Sequence, residues 1–410
     1  VKLDLIDTLA LAGVALLAGH ALRRYVPALA RFNVPAPVIG GLLVALVVLV
    51  ARSGGVTLFE FDTTLQRPLM VAFFTTIGFA ASLRMLQSGG PLVLKFFLLA
   101  AGFSALQSVI GLGVAAALGL PPLLGVLAGT ATLSGGPATG LAFAPAFEAA
   151  GIAGAASIAV AVAMAGIVLG GVLGGPVGGA LVERYGATWF PLVPPPAAPP
   201  MAASPATTGD SALPVGDGED DSGADALRVV RNVVAVLVAM WAGGGLSAWI
   251  EQQGVTLPSY IGAMLVAAVL RNVDDRTGWI GLDTRWIGEF GAVTLSLFLV
   301  LAIMTLKLWE LAGLALPLFL ILAVQVVAVA VFAYFVVFRW MGRDYEATVM
   351  SGGFVGFMLG TAANAMAVMR ALVDRYGPAP TAFLVAPMVG AFFIDFANAL
   401  IITAFLNLLA

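Results

Sequence analysis

The sequence predicts an all-α polytopic membrane protein built as two inverted-topology repeats, each of five transmembrane helices plus one re-entrant hairpin. Three observations carry this. Hydrophobic residues make up 61% of the 410 and charged residues 10%, with a mean hydropathy of +1.05, far from the make-up of a soluble domain. Apolar runs near the roughly 20 residues that a helix needs to cross hydrocarbon recur along the whole chain. The tripeptides Ser134-Gly135-Gly136 and Ser351-Gly352-Gly353 stand once in each half, in interrupted apolar segments. Non-helical backbone at membrane depth survives only where protein buries it or water reaches it, so two matching interruptions point to a solute site shared by the halves.

The first half, 1–186, reads as spans near residues 5–22, 36–51, 68–83, 92–118 and 155–182. The second half, 227–410, reads as spans near 229–250, 257–270, 287–306, 312–338 and 380–408. The opening run lacks a basic n-region and a clear cleavage site followed by soluble chain, and is read as a retained span. Between the fourth and fifth spans of each half lies a Gly/Ala-rich stretch, 123–147 and 347–369, whose central glycines argue against one continuous helix. Both are read as re-entrant hairpins. Residues 187–226 hold eight prolines and six acids with no Lys or Arg, the composition of a disordered linker. Removing those six acids from 22 leaves 16 acidic against 19 basic residues, so the membrane body is slightly basic although the formal charge is −3.

Lys and Arg in short loops are retained on the cytoplasmic side. With both termini outside and ten spans, 15 of the 19 basic residues fall inside together with the linker, and only Lys2, Arg52, Arg67 and Lys307 fall outside. Counting each hairpin as a full span scrambles this bias. The halves also read as diverged copies. Ile39-Gly40-Gly41-Leu42 corresponds to Ile261-Gly262-Ala263-Met264, Leu83-Arg84-Met85-Leu86 to Leu306-Lys307-Leu308-Trp309, Gln107 to Gln325, and Pro176 with Gly179 to Pro387 with Gly390. An odd number of crossings per copy makes the second enter from the opposite face.

Consecutive glycines let main-chain N–H groups turn toward an anion without Cβ obstruction, and the positive end of a following half-helix favours a carboxylate. Gly135, Gly136, Gly352 and Gly353 are therefore candidate substrate contacts, with Ser134, Thr139, Ser351, Thr361 and Asn364 supplying hydroxyl or amide groups. The competing reading is close helix packing through small residues. Asp395 lies about midway along the last apolar run with Asn398 one turn later on the same face, and such hard oxygen ligands suit sodium. Thr132 joins them as a candidate sodium ligand. A buried carboxylate without a cation tends to hold its proton, so the same residue could couple to H⁺, or simply form a structural ion pair. Gln107 and Gln325 are secondary candidates, since mid-span amides often bind a neighbouring helix.

Other chemistries find no support. There is no cysteine and one histidine, His20, which excludes a disulfide framework, a thiolate nucleophile and a His-rich metal site. His20, beside Arg23 and Arg24, reads as interfacial, and Asp274-Asp275 as a solvated turn. No zinc-protease His pair or Walker loop appears, and no basic patch interleaved with aromatics indicates nucleic-acid binding. An enzyme is not expected, nor a cofactor. A passive channel would need no paired site and would show flux uncoupled from an ion gradient.

Apart from the linker, residues 3–408 resemble the bacterial sodium/glutamate symporter family. The likeness is strongest from Gly377-Pro378 through Phe383-Leu384-Val385, Pro387-Met388-Val389-Gly390-Ala391-Phe392-Phe393-Ile394-Asp395 and Asn398-Ala399-Leu400. Thr132-Leu133-Ser134-Gly135-Gly136 with Thr139-Gly140, and Ser296-Leu297-Phe298-Leu299, also look like family motifs. The resemblance implies a sodium-coupled carrier of glutamate or a related amino acid in the bacterial inner membrane, two re-entrant loops meeting at the site, elevator-like movement and a homodimer. The chain departs from the family pattern in both loops. Where the family usually has His after the Gly pair it has Pro137 and Phe354, and in place of a Thr-Pro-Thr stretch it has Ala362-Ala363-Asn364. Another carboxylate or a less polar amino acid therefore stays open as the substrate.

Overall fold

The computed structural model describes residues 2–409 apart from 57, 85–89, 187–220, 255–256 and 312. The linker up to residue 220, and Met85 and Leu86 of one repeat correspondence, lie outside the described residues. Among the described residues, fifteen helices carry the fold. In the first half they are α1 (Leu5–Tyr25), α2 (Ala36–Ser53), α3 (Gln66–Ala80), α4 (Gly90–Ala117), α5 (Pro122–Val126), α6 (Gly136–Ala149) and α7 (Ala155–Tyr185). In the second half they are α8 (Asp221–Glu251), α9 (Ser259–Thr277), α10 (Thr284–Met304), α11 (Ala315–Phe332), α12 (Tyr345–Met358), α13 (Ala362–Tyr376), α14 (Pro380–Met388) and α15 (Ile394–Leu409). α8 begins inside the stretch assigned to the linker.

Local chemistry sets several of these boundaries. Asp4 caps α1 by accepting the Asp7 N–H, Asp283 caps α10 through Arg285 and Trp286, and Asp344 caps α12 through Ala347. Each carboxylate meets backbone donors that a helix start leaves unpaired and sits at the positive end of the dipole. Among the described residues, seven helices are long and apolar enough to cross a membrane: α1, α2, α4, α7, α8 from Ala226, α10, and α11 with its extension to Trp340. The other three expected spans differ for visible reasons. α3 has only 15 residues, and α9 carries Arg271, Asp274, Asp275 and Arg276 in its second half. The last run is divided by a wide π-type turn over Val389–Phe393, a widening that often marks a functional place in a helix.

The helices sort into two packed bodies. α1, α2, α3, α8, α9 and α10 pack on one another, while α4 to α7 and α11 to α15 pack on one another, with few contacts between the sets. Within the first body α3 and α9 run side by side in the same direction. Arg67 donates to the Ser259 hydroxyl at their starts, and at their ends Ser82 donates to Asp275 while the Asn272 amide donates to the Ala81 carbonyl. The main-chain bond from Leu3 to Glu60 places the start of α1 at the same end as the start of α3.

Asp274 and Asp275 are fasteners rather than a solvated turn. Asp275 pairs with Arg271 at 2.9 Å and accepts from Ser82. Asp274, past the predicted span end, accepts the N–H groups of Ile280, Gly281 and Leu282 at 2.7 to 2.9 Å. Burial alone would raise the Asp274 pKa, but these three donors prevail and hold it below the ordinary 3.8.

Each half contains one helix–break–helix element in the second body. In the first, α5 runs into a π-type turn, Leu127–Ala131, where Gly129 leaves helical geometry at φ −105° and ψ −116°, and α6 starts at Gly136 with φ +68°. Residues with a Cβ rarely adopt that last conformation. In the second, α12 ends at Met358 and α13 starts at Ala362, leaving Leu359-Gly360-Thr361 between them. Ser351-Gly352-Gly353 are therefore not at the break; they lie inside α12. Their glycines serve close packing. A Cβ on Gly352 would come within 2.6 Å of the Leu372 side chain and 3.0 Å of the Gly174 carbonyl, and one on Gly353 within 2.6 Å of Met369 sulfur. The packing alternative thus describes this tripeptide.

Candidate functional site

The two breaks meet. A Cβ on Gly136 would lie 3.7 Å from both the Gly360 carbonyl oxygen and the Thr361 methyl. Beside this junction is a cavity of about 420 Å³. From the second body its wall takes Ser134, Gly135, Gly136, Pro137, Thr139, Phe357, Gly360, Thr361, Gly390 and Asp395. From the first body it takes His20 and Arg23 on α1, Phe73, Phe74 and Ile77 on α3, and Leu295, Ser296 and Leu299 on α10. The cavity therefore lies between the bodies, in the size range of small-molecule sites.

The starts of α6 and α13 both open on this cavity, and the Thr361 side chain caps α13 by accepting the Asn364 N–H at 3.4 Å. Two helix N-termini aimed at one space present unpaired N–H groups and two positive dipole ends to an anion. Asp395, in the first turn of α15 just after the wide turn, brings a carboxylate to the same wall. Among the described residues it makes no hydrogen bond or ion pair. Its oxygens are open to a cation or to an ammonium group, while Arg23 and His20 supply basic groups from the facing body.

The remaining expected site residues stand behind the wall rather than on it. Thr132 is buried and donates to the Leu127 carbonyl at 2.9 Å, closing the first break on itself. Asn398 and Thr130 bond reciprocally: the Thr130 hydroxyl donates to the Asn398 side-chain oxygen, and the Asn398 amide donates to the Thr130 carbonyl at 3.1 Å. The Asn364 amide donates to the Ile167 carbonyl at 2.7 Å, and the Ser351 hydroxyl to Ala347 within its own helix at 2.7 Å. The Gln107 amide reaches the Met358 carbonyl at 3.0 Å, where α12 ends, and the Gln325 amide reaches the Gln107 carbonyl at 2.7 Å. Gln325 also lies against Gly129 of the first break, 3.1 Å from where a Cβ would sit. The two glutamines thus brace the two breaks as a chain.

Both residues that replace the family's histidine have a structural place. Phe354 packs edge-on to Phe96 and Phe103 at 5.7 and 5.8 Å and stacks on Phe332 at 5.8 Å, so that position feeds an aromatic cluster instead of the cavity. Pro137 lies on the cavity wall in the first turn of α6, where a missing N–H costs nothing. Sequence reasoning missed Ser104, whose hydroxyl is 2.8 Å from that of Ser134, as well as Thr130, Gly360, Arg23 and His20. Gly360-Thr361 ahead of an alanine run is a helix-start signal that could have placed the second break. Arg23 and His20 carry no such signal, because only the packing of α1 beside the breaks brings them to the wall.

A polytopic helical protein whose two interrupted elements converge on a solute-sized cavity has the architecture of a secondary transporter. A sequence model described as the sodium/glutamate symporter family matches residues 1–378. The sodium/glutamate symporter of Escherichia coli (strain K12) is 40% identical over 409 residues, covering 99% of this chain and 98% of that protein. That of Haemophilus influenzae is 36% identical over 418 residues, covering 98% of each. The chain belongs to the sodium/glutamate symporter family. The family match ends before α14, whereas the two relatives, which cover 98–99% of the chain, take in Asp395.

Proposed function

We propose that the protein is a symporter that imports glutamate or a related amino acid across the bacterial inner membrane, driven by sodium, by alternating access. The observation that carries this reading is the single cavity at which two helix N-termini and the unpaired Asp395 converge between two bodies that touch sparingly. Sodium enters beside Asp395, and its charge lets the breaks accept the solute carboxylate at the N–H groups of Gly136 and the start of α13, the Gly135 N–H being held by the Thr130 carbonyl. The body that holds both breaks then moves past the other and exposes the cavity inward. The halves form inverted repeats with both termini outside and the linker in the cytoplasm, and the protein works as a homodimer. The family and its relatives' names support the solute and the ion; the scarcity of direct helix–helix contacts between the bodies supports the movement.

A second reading has its own support. Phe73, Phe74, Ile77, Leu295, Leu299, Phe357 and Pro137 make much of the wall apolar, which suits a less polar amino acid better than a dicarboxylate. Uptake by purified protein in liposomes, tested with a panel of amino acids and dicarboxylates under imposed Na⁺ or H⁺ gradients, distinguishes the readings. Accumulation of glutamate that requires an inward Na⁺ gradient is expected. Accumulation driven only by H⁺, or flux that never exceeds equilibration, contradicts sodium symport.

A further inference from the structure

A second cavity, of about 560 Å³, lies between the same two bodies at the end where α3 and α9 begin. Along α3, Gln66, Arg67 and Met70 face it, whereas Phe73, Phe74 and Ile77, further down the helix, face the site cavity. Along α6 the order is matched: Thr139 belongs to the site cavity and Ala146 to the second one. The two spaces are thus stacked along one interface, and what separates them is aromatic. Phe74, on the site side, lies against Tyr260, on the other side, with ring centroids 4.3 Å apart, and Phe143 meets Tyr260 edge-on at 5.7 Å. Here the main apolar core crosses from one body to the other.

Tyr260 is fully buried, yet among the described residues its hydroxyl has no hydrogen-bond partner. A phenylalanine would seal the partition without leaving a buried hydroxyl unpaired, which is costly. A hydroxyl kept at such a place implies a partner in a different arrangement of the bodies. We propose that Tyr260 is a polar gate: its ring closes the path between the two cavities, and its hydroxyl contacts the passing solute when the partition opens. This rests on the transport reading above and adds to it the route by which solute reaches the site.

The chain contains no cysteine, so single cysteines report directly in the native background. Ser296→Cys marks the site cavity and Ala146→Cys the second cavity. With Tyr260 in place and the alternation arrested by cold, a membrane-impermeant maleimide should label each from one face only, and from opposite faces. Adding Tyr260→Ala should make Ser296→Cys react from both faces. Tyr260→Phe should keep labelling one-sided but raise the KM for uptake about tenfold, the loss of one hydrogen bond to a charged solute. If Tyr260→Ala does not give monodisperse protein, Phe74→Ala removes the other half of the partition and is read in the same way. One-sided labelling of Ser296→Cys in the folded alanine variant, or an unchanged KM in Tyr260→Phe, overturns the proposal. Labelling needs neither solute nor sodium, so a wrong gate and a wrong transport assignment give different failures.

Discussion

At the scale of single residues, the wall of the cavity and its supports predict different losses. Asp395 is the acid on the wall, so Asp395→Asn should lower sodium-dependent uptake by about tenfold or more while the purified protein keeps its elution profile, because a fixed negative ligand in a low-dielectric site is hard to replace. Ser351 donates only to Ala347 of its own helix. Ser351→Ala should therefore leave uptake within about twofold of the parent, as replacing a hydroxyl bonded within its own helix changes little; a loss as large as that of Asp395→Asn would return Ser351 to the site. Asn398→Ala removes both bonds to Thr130 and leaves buried polar groups unpaired, at a cost of about 1–3 kcal/mol. It should lower the melting temperature, and addition of Na⁺ should not restore it.

At the scale of elements, most helices were legible and the position of one break was not. Long apolar runs fix α1, α2, α4, α7 and α10 to within a few residues because in hydrocarbon the backbone must bond to itself along the whole run. The first break was readable since Ser134-Gly135-Gly136 stands at an unwound place where Gly136 needs a positive φ. The second was misplaced because Ser351-Gly352-Gly353 looks the same but answers a different demand, the close approach of Gly174 and α13 to α12. Glycine composition does not distinguish a turn from a tight helix crossing. The loop after α9 is likewise set by a contact out of reach of sequence patterning, the three N–H groups on Asp274. Since the folded carboxyl ionises below its ordinary 3.8, its contribution is present above that pH and is lost as pH falls through the lowered value. Asp274→Asn should melt below the parent at neutral pH, and the gap should close as the pH drops below about 3.8; a gap independent of pH contradicts this role.

At the scale of the whole molecule, an all-helical polytopic membrane protein was legible from composition, whereas the division into two bodies was not. Helices of each body come from both halves of the chain, so their assortment depends on which apolar faces meet, and in lipid those faces look alike. That division is what gives the cavity its meaning. Its wall is contributed by both bodies, and both breaks ride on one of them together with Asp395. The central claim is that this body moves against the other during transport. Distances between spin labels at one end of the molecule test it: Thr63 with Glu148 spans the two bodies, Leu118 with Glu148 lies within the break-bearing body, and Thr63 with Gln253 lies within its counterpart. On adding Na⁺ and transported solute, the first distance should shift or split by several ångströms, roughly the scale of collective domain motion, while the other two hold. A first distance that stays fixed under transport conditions, or all three changing together, would contradict the account.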